Sequence, residues 1–323
     1  MIDIKNRKIL VTGGAGFIGR GLVRGLLKRG AIVRSLDNNS RGAAAKLSDL
    51  ADQIELREGD IRDARTVREA VQGMDAVCHL AYVNGTEFFY QKPELILEVA
   101  VKGMMNVLDA CVAENVRELH LASSSEVYQN AAQVPTAEDV PLVVPNPLNP
   151  RYSYGGGKII SELLALNYGR SLLDRVIVFR PHNVYGPDMG SEHVIPQFAL
   201  RMKQACAETA GPVDFPIQGT GQETRAFIYI DDFVEGVLKI MEEGETQNIY
   251  HIGSDEEIPV AQIAELVGQC FDREIRIIPG PLQPGSPSRR CPDVSKLRAL
   301  GFSSSTSLPE GIAKTVAWYR QNR

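Results

Sequence analysis

The chain has 323 residues, 44% hydrophobic and 23% charged, which suits a large packed core and excludes a disordered chain. Its net charge of −5, without blocks of like charge, argues against nucleic acid as a partner. The apolar runs are too short to span a membrane, the five cysteines show no disulfide or zinc spacing, and no signal peptide is evident. A cytoplasmic protein with reduced thiols and no metal is expected.

Residues 8–12 (Lys-Ile-Leu-Val-Thr) predict a short buried strand. Gly13-Gly14-Ala15-Gly16-Phe17-Ile18-Gly19 follows, then a helical pattern with Leu22, Val23, Leu26 and Leu27. A second strand over 32–36 ends at Asp37. This order of strand, glycine turn, helix, strand and acid is a dinucleotide-binding pattern. Missing side chains let the main chain approach a pyrophosphate, and the helix N-terminus offers it N–H groups and a positive dipole end. Gly13, Gly16, Phe17, Ile18 and Gly19 are therefore candidate cofactor contacts, with Asp37 and its neighbour Asn38 at the ribose. A carboxylate at 37 would repel a 2′-phosphate, so NAD is expected over NADP. Arg41 is the one nearby cation that bears on that choice.

The alternation continues. Strand residues 54–56 lead to Gly59-Asp60-Ile61, and a helix is expected over 64–71. A buried strand over 76–81 ends so that Leu80, Ala81 and Tyr82 pass the cofactor. His79 is read as a packed strand residue. One long helix is expected over 93–114, with Leu97, Val101, Met104, Leu108 and Cys111 on an apolar face for the core or a dimer contact. The strand over 117–122 runs into Ser123-Ser124-Ser125-Glu126-Val127-Tyr128, three hydroxyls and a carboxylate at a strand end. After a proline-rich connection over 135–150 come Tyr154 and Lys158, at a spacing that puts phenol and ammonium on one helix face. A nearby cation favours the phenolate, which would make the pair a candidate general base. The intervening Gly155-Gly156-Gly157 weakens a helix by ~1 kcal/mol per residue relative to Ala and predicts a close backbone approach.

In the second half, strands are expected over 175–179, 248–252 and 274–278. Helices are expected from about 196, over 233–241, over 259–271 and over 308–320. A Pro/Gly/Ser-rich loop over 279–287 precedes Arg289-Arg290. Arg225 follows Gly219-Thr220-Gly221-Gln222-Glu223-Thr224, where a guanidinium could make paired bonds to phosphate oxygens.

Together these segments, with Arg180-Pro181-His182-Asn183-Val184-Tyr185-Gly186-Pro187, resemble the extended short-chain dehydrogenase/reductase family over nearly the whole chain. The similarity is to its nucleotide-sugar epimerases, dehydratases and decarboxylases. It implies an α/β fold: a Rossmann-type doubly wound parallel sheet over 1–180 with a return near 227–252. A smaller, discontinuous α/β substrate domain would take 181–226 and 253–323. It implies NAD as cofactor, a nucleotide diphosphate sugar as substrate and a homodimer. The function expected from the resemblance is an epimerase or dehydratase working through transient oxidation at C4 of the sugar, with NAD regenerated in place; a UDP-glucuronate decarboxylase-like lyase is the alternative. By the same resemblance Tyr154 is the base, Lys158 bonds the nicotinamide ribose and lowers the Tyr154 pKa, and Ser124 bonds the reacting hydroxyl. Asp60 and Ile61 would contact adenine, and Asn183, Arg225 and Arg290 the diphosphate or sugar. Ser125 and Glu126 occupy the position of an acidic or Ser/Thr-Glu pair in dehydratases, where the Glu can remove the C5 proton. Thr-Ser-Glu-Val-Tyr and Asn-Pro-x-x-x-Arg-x-x-Tyr-x-x-x-Lys, found in UDP-glucuronate decarboxylases, resemble Ser124 to Tyr128 and Asn146 to Lys158. A net carbonyl reductase and a non-catalytic NAD-binding protein are the alternatives from other classes. This sequence departs from the family pattern at Ala100, Tyr82, Gln129 and the three glycines.

Overall fold

A computed structural model describes residues 1–40, 44–281 and 287–323, without the side chains of 86 and 87; Arg41 and most of the 279–287 loop lie outside the described residues. Its centre is a parallel seven-stranded sheet. The strands are β1 (Lys8–Thr12), β2 (Ile32–Asp37), β3 (Ile54–Glu58), β4 (Ala76–His79), β5 (Glu118–Ala122), β6 (Arg175–Pro181) and a last strand Asn248–Ile252. The spatial order is β3-β2-β1-β4-β5-β6 and then Asn248–Ile252. The chain winds outward in one direction through β2 and β3, then crosses back to β4. The switch point between β1 and β4 opens a crevice at the strands' carboxyl ends.

Both faces of the sheet are covered, and the strand sequences show why. Ile9 and Val11 pack in one apolar cluster and Leu10 in another, as alternation along a pleated strand requires. Cys78, Ile177 and Phe179 join the first cluster; Val77, Val176 and Val178 join the second. Helix Phe17–Lys28 turns Leu22 and Leu26 inward, both fully buried. Each contributes roughly 1.5–3 kcal/mol by leaving water.

The helix expected over 93–114 differs in detail. Helical backbone runs Pro93–Glu98, widens into a π-type turn at Val99–Gly103, and resumes over Met104–Ala113. The Ser161 hydroxyl donates to the Ala100 carbonyl at 3.0 Å, a partner outside the helix at the wide turn. Side chains are crowded there too: a Cβ on Gly103 would meet Ile61 Cγ1 at 2.8 Å. Beyond the main sheet, Thr224–Ala226 pairs with Glu257–Pro259 on one side and Arg289–Arg290 on the other. This small sheet brings Arg290 to the rim of the crevice.

Candidate active site

The crevice is a cleft of about 570 Å³. Its floor at one end is the glycine turn. Gly13 has φ +73°, and a Cβ there would lie 2.8 Å from the Ala81 backbone nitrogen. A Cβ on Gly19 would overlap the Gly13 carbonyl oxygen. The turn is thus pressed against the β4 exit on one side and its own helix on the other. Helix Phe17–Lys28 starts at Gly16 without a side-chain cap, so its first N–H groups face the cleft uncovered by any side chain of their own. Asp37 stands at the end of β2 and accepts from the Ala15 and Asn39 backbone N–H groups at 3.0 and 2.8 Å. These features fit a dinucleotide: a pyrophosphate cradle at the helix start and an acid one strand away. Phe17, Ile18, Asn38, Ile61, Leu80, Ala81 and Tyr82 line the same end. The Asp60 carboxylate also faces the cleft, but Arg62 and Asn38 hold it. Those bonds, that from Arg62 foremost, lower its pKa to about 2.

The other end is built from side chains. Tyr154 and Lys158 lie in helix Ser153–Ser171, one turn apart and both buried. Two of the three glycines between them, Gly155 and Gly157, make the close approach the sequence predicts. A Cβ on Gly155 would lie 2.7 Å from the Glu126 carbonyl and 2.6 Å from Gln129 Nε2. One on Gly157 would overlap the Tyr82 hydroxyl and lie 2.7 Å from Ala100 Cβ. The neighbours are Gln129, Tyr82 and Ala100, the other positions where this chain departs from the family pattern. The departures form one packing unit.

The electrostatics differ from the simple picture of an ammonium activating a phenol. Burial pushes the Tyr154 pKa up to about 12, against a hydrogen bond with Ser124 that lowers it. Burial likewise pulls Lys158 down to about 7, partly opposed by the Glu162 carboxylate. Lys158 Nζ donates to the Ala122 carbonyl at 2.7 Å and sits 3.8 Å from the centroid of the Tyr82 ring. The Tyr82 hydroxyl donates to the Tyr154 carbonyl at 3.2 Å, and the two rings meet edge to face at 5.1 Å. In the protein alone, desolvation outweighs the Ser124 hydrogen bond, and the phenol keeps its proton at neutral pH.

Ser124 lies two residues beyond β5 and caps the following turn, its Oγ accepting from Glu126 N at 3.1 Å. That turn directs Ser125 and Glu126 into the cleft. Arg290 Nη1 meets Glu126 Oε1 at 2.5 Å. Burial alone would raise the Glu126 pKa, but Arg290, helped by Arg151 and Arg225, holds it below the usual carboxylate value. Asn183 lines the cleft with φ +40°, its side-chain amide donating to the Ala226 carbonyl at 2.8 Å. Arg225 is the exception among the expected site residues. It does not face the cleft, and its guanidinium donates to the main-chain carbonyls of Thr224 and Pro287. Burial and the Arg290 charge lower its pKa to about 10. His79 is a packed strand residue, as expected, with Nδ1 2.7 Å from Thr12 Oγ1.

A buried polar network behind Lys158 was not foreseen. The Ser123 hydroxyl donates to Glu162, and Arg180 makes two bonds to the same carboxylate at 2.9 and 2.7 Å. Arg180 also donates to the Tyr128 hydroxyl, which lies 2.6 Å from His251 Nε2. Position 162 is one helical turn beyond Lys158, so the spacing that flagged Tyr154 and Lys158 could have flagged Glu162. Among the described residues no cluster of His, Cys, Asp and Glu could hold a metal ion.

A dinucleotide crevice that ends at a buried Tyr, Lys and Ser set defines an enzyme of the short-chain dehydrogenase/reductase type. The chain belongs to the NAD dependent epimerase/dehydratase family, whose sequence model matches residues 9–253. It is an NAD-dependent enzyme of nucleotide-sugar chemistry. It is 31% identical to a UDP-N-acetyl-alpha-D-glucosaminuronate decarboxylase of Bacillus cytotoxicus, over 98% of both chains. A dTDP-glucose 4,6-dehydratase from Streptomyces venezuelae, crystallised with NAD, superposes with TM-score 0.85 at 30% identity, covering 98% of this chain and 97% of that one. A UDP-glucose 4-epimerase from Thermus thermophilus, in complex with NAD, gives TM-score 0.84 at 27% identity, covering 98% of this chain and all of the other.

Proposed function

We propose that this enzyme removes the C6 carboxylate of a nucleotide-linked uronate through a 4-keto intermediate. The observation that carries the reading is the ionised Glu126, paired with Arg290 and standing beside Ser125. Loss of water from C6 needs an acid to protonate the departing hydroxyl. Position 125 offers a serine, and Glu126 is held as a carboxylate. Loss of carbon dioxide needs no proton on its leaving group. The similarity to a uronate decarboxylase over the full chain supports the same choice.

NAD, when bound, takes a hydride from the sugar and returns it. Tyr154 accepts the proton of the C4 hydroxyl in its ionised form, which the positive charge of the nicotinamide would favour once NAD is bound, and Ser124 is hydrogen-bonded to the same phenol. Once C4 is a ketone, the C5–C6 bond can break and its electron pair passes into the carbonyl as an enolate. Carbon dioxide leaves, C5 takes a proton, and the returned hydride restores the alcohol. Lys158 supplies the positive charge beside this chemistry. Residues 181–226 and 253–323 form the substrate end, with Asn183 and Arg290 reaching the cleft from them.

We also infer a homodimer, because Leu97 is 39% exposed and Leu163 56% exposed on neighbouring helices. A cytoplasmic location fits the five free thiols; no helix among the described residues is long and apolar enough to cross a membrane. The test is to incubate the enzyme with UDP-, GDP-, CDP- and dTDP-linked hexoses and uronates and to read products by mass spectrometry and NMR. Release of carbon dioxide from a uronate is expected. Loss of water from a hexose, or unchanged mass with inverted C4, would assign the dehydratase or epimerase reaction and reject decarboxylation.

A further inference from the structure

Tyr82 lies three residues beyond β4 and lines the cleft, at a position where this chain departs from the family pattern. It touches both Tyr154 and Lys158. The Lys158 ammonium stands over the Tyr82 ring, 3.8 Å from its centroid. The Tyr154 ring meets the same ring edge to face at 5.1 Å, and the Tyr82 hydroxyl donates to the Tyr154 carbonyl at 3.2 Å. Phe89 also packs on the Tyr154 ring, at 5.0 Å between centroids. The chain leaves room for Tyr82. A Cβ on Gly157 would overlap its hydroxyl, and the small Ala100 is the other neighbour of that glycine.

Lys158 needs such a partner. It is buried, yet of the three hydrogen bonds an ammonium can donate it makes one among the described residues, to the Ala122 carbonyl. The ionisable groups around it offer little more. The Glu162 carboxylate is one turn along the same helix, but Ser123 and Arg180 bind it. His79, on β4, is held neutral by burial and by the Lys158 charge. Tyr154 keeps its proton in the protein alone. Burial raises the Tyr82 pKa well above its ordinary value, so Tyr82 meets the ammonium as an uncharged ring. The face of an aromatic ring is its negative side and attracts a cation, more strongly where water is excluded. At 3.8 Å this ring holds the charge where hydrogen-bond acceptors are missing.

We propose that Tyr82 is a positioning residue for the Tyr154–Lys158 pair, its ring face holding the Lys158 ammonium while its edge and hydroxyl fix Tyr154. The proposal does not depend on decarboxylation, and it holds for any reaction that begins at this pair.

The test follows Lys158 directly, by NMR of NAD-loaded enzyme isotope-labelled at the lysine Cε carbons. Its signal is assigned by its absence from Lys158→Met. Wild type, Tyr82→Phe, Tyr82→Leu and Tyr82→Met are titrated with base, and circular dichroism checks that each is folded. Tyr82→Phe keeps the ring and should leave the Lys158 pKa within about 0.3 pH unit of wild type. Tyr82→Leu and Tyr82→Met remove it and should lower that pKa by about 0.5–1 pH unit, the size of an ordinary cation–π contact. Methionine fills the space better, so Tyr82→Met is read if Tyr82→Leu does not fold. With whichever nucleotide sugar the enzyme turns over, the alkaline limb of kcat should move down in the ringless variants and stay in Tyr82→Phe. A ring that only fills space would lower the thermal midpoint and leave the Lys158 titration where it was, which would overturn the proposal. A higher Lys158 pKa in the ringless variants would overturn it too, because water would then hold the charge better than the ring does. An equal fall in Tyr82→Phe would assign the effect to the hydroxyl and reject the role of the ring.

Discussion

At the dinucleotide end of the cleft the decisive atoms are absent ones. Gly13 and Gly19 shape the cradle because a methyl group at either would strike main chain. At the reacting end the decisive atoms are buried side chains: Tyr154, Lys158, Glu162 and Arg180 are all less than 9% exposed. A cradle of main chain has few alternative arrangements and no charge state. A cluster of buried ionisable groups has several charge states, and each neighbour changes them. The first end is therefore fixed by sterics, and the second is tuned.

The sharpest way to separate the ends is to damage one and read the other. Tyr154→Phe should lower turnover by about 10³-fold, within the range expected for loss of a positioned acid or base. Bound NAD, measured by absorbance after denaturation, should be unchanged. Gly19→Val should do the reverse, because the added side chain would collide with the Gly13 carbonyl. Most of the NAD should be lost, and activity with it. Comparable NAD loss in both variants would mean the two ends do not separate this way.

The same division explains what the sequence revealed. The alternation of strands and helices, the glycine turn and Asp37 followed from short-range patterns, because each is a local consequence of strand alternation, helix period or missing side chains. Tyr154 and Lys158 were legible from their spacing. Their protonation was not: burial raises the pKa of the phenol and lowers that of the ammonium, and a sequence does not display burial. Nor did it show that Arg225 turns to the 287 carbonyl, or that Glu162 pairs with Arg180. Residues 162 and 180 lie on different elements, and their contact depends on how helix Ser153–Ser171 packs on β6. The π-type turn at Val99–Gly103 was missed because its outside partner, Ser161, lies on that same helix.

Acid should expose the tuned end next. Burial lowers the pKa of His79 to about 3 and of His251 to about 4, from 6.5, and His182 falls well below that reference too. The Lys158 charge pushes His79 further in the same direction. Each histidine is neutral when folded and binds a proton more readily when unfolded. Their stabilisation is complete above pH 6.5 and is lost as pH falls through about 4 and about 3. The slope is about 1.4 kcal/mol per pH unit for each group, so His79 and His251 together should cost the fold several kcal/mol by pH 5. Lys158 carries the same sign higher up: folded about 7 against 10.5 unfolded, it makes stability rise across that interval. Urea midpoints at pH 5, 7 and 9 measure both limbs. A flat profile from 7 to 5 would mean that these rings are hydrated in solution.

The smallest expected effects test the glycines between Tyr154 and Lys158, where the two kinds of construction meet. All three weaken the helix, but only two have neighbours at close range. A Cβ on Gly156 would meet only Val144 Cγ2, at an ordinary 3.6 Å. Gly156→Ala should therefore stabilise by about 0.5–1 kcal/mol, the helix-propensity gain. Gly155→Ala brings a methyl against the Glu126 carbonyl and Gly157→Ala one against the Tyr82 hydroxyl, so each should cost about 1–3 kcal/mol as overpacking. The two obstacles differ in kind. A carbonyl of the main chain cannot be trimmed, but Tyr82 can. Tyr82→Phe removes the overlapping hydroxyl along with its 3.2 Å bond to the Tyr154 carbonyl. In a double-mutant cycle followed by urea denaturation, Tyr82→Phe should recover part of the cost of Gly157→Ala, since Ala100 Cβ at 2.7 Å remains, and none of the cost of Gly155→Ala. Additive effects at 82 and 157 would show that Gly157 is retained for a reason other than room for the tyrosine.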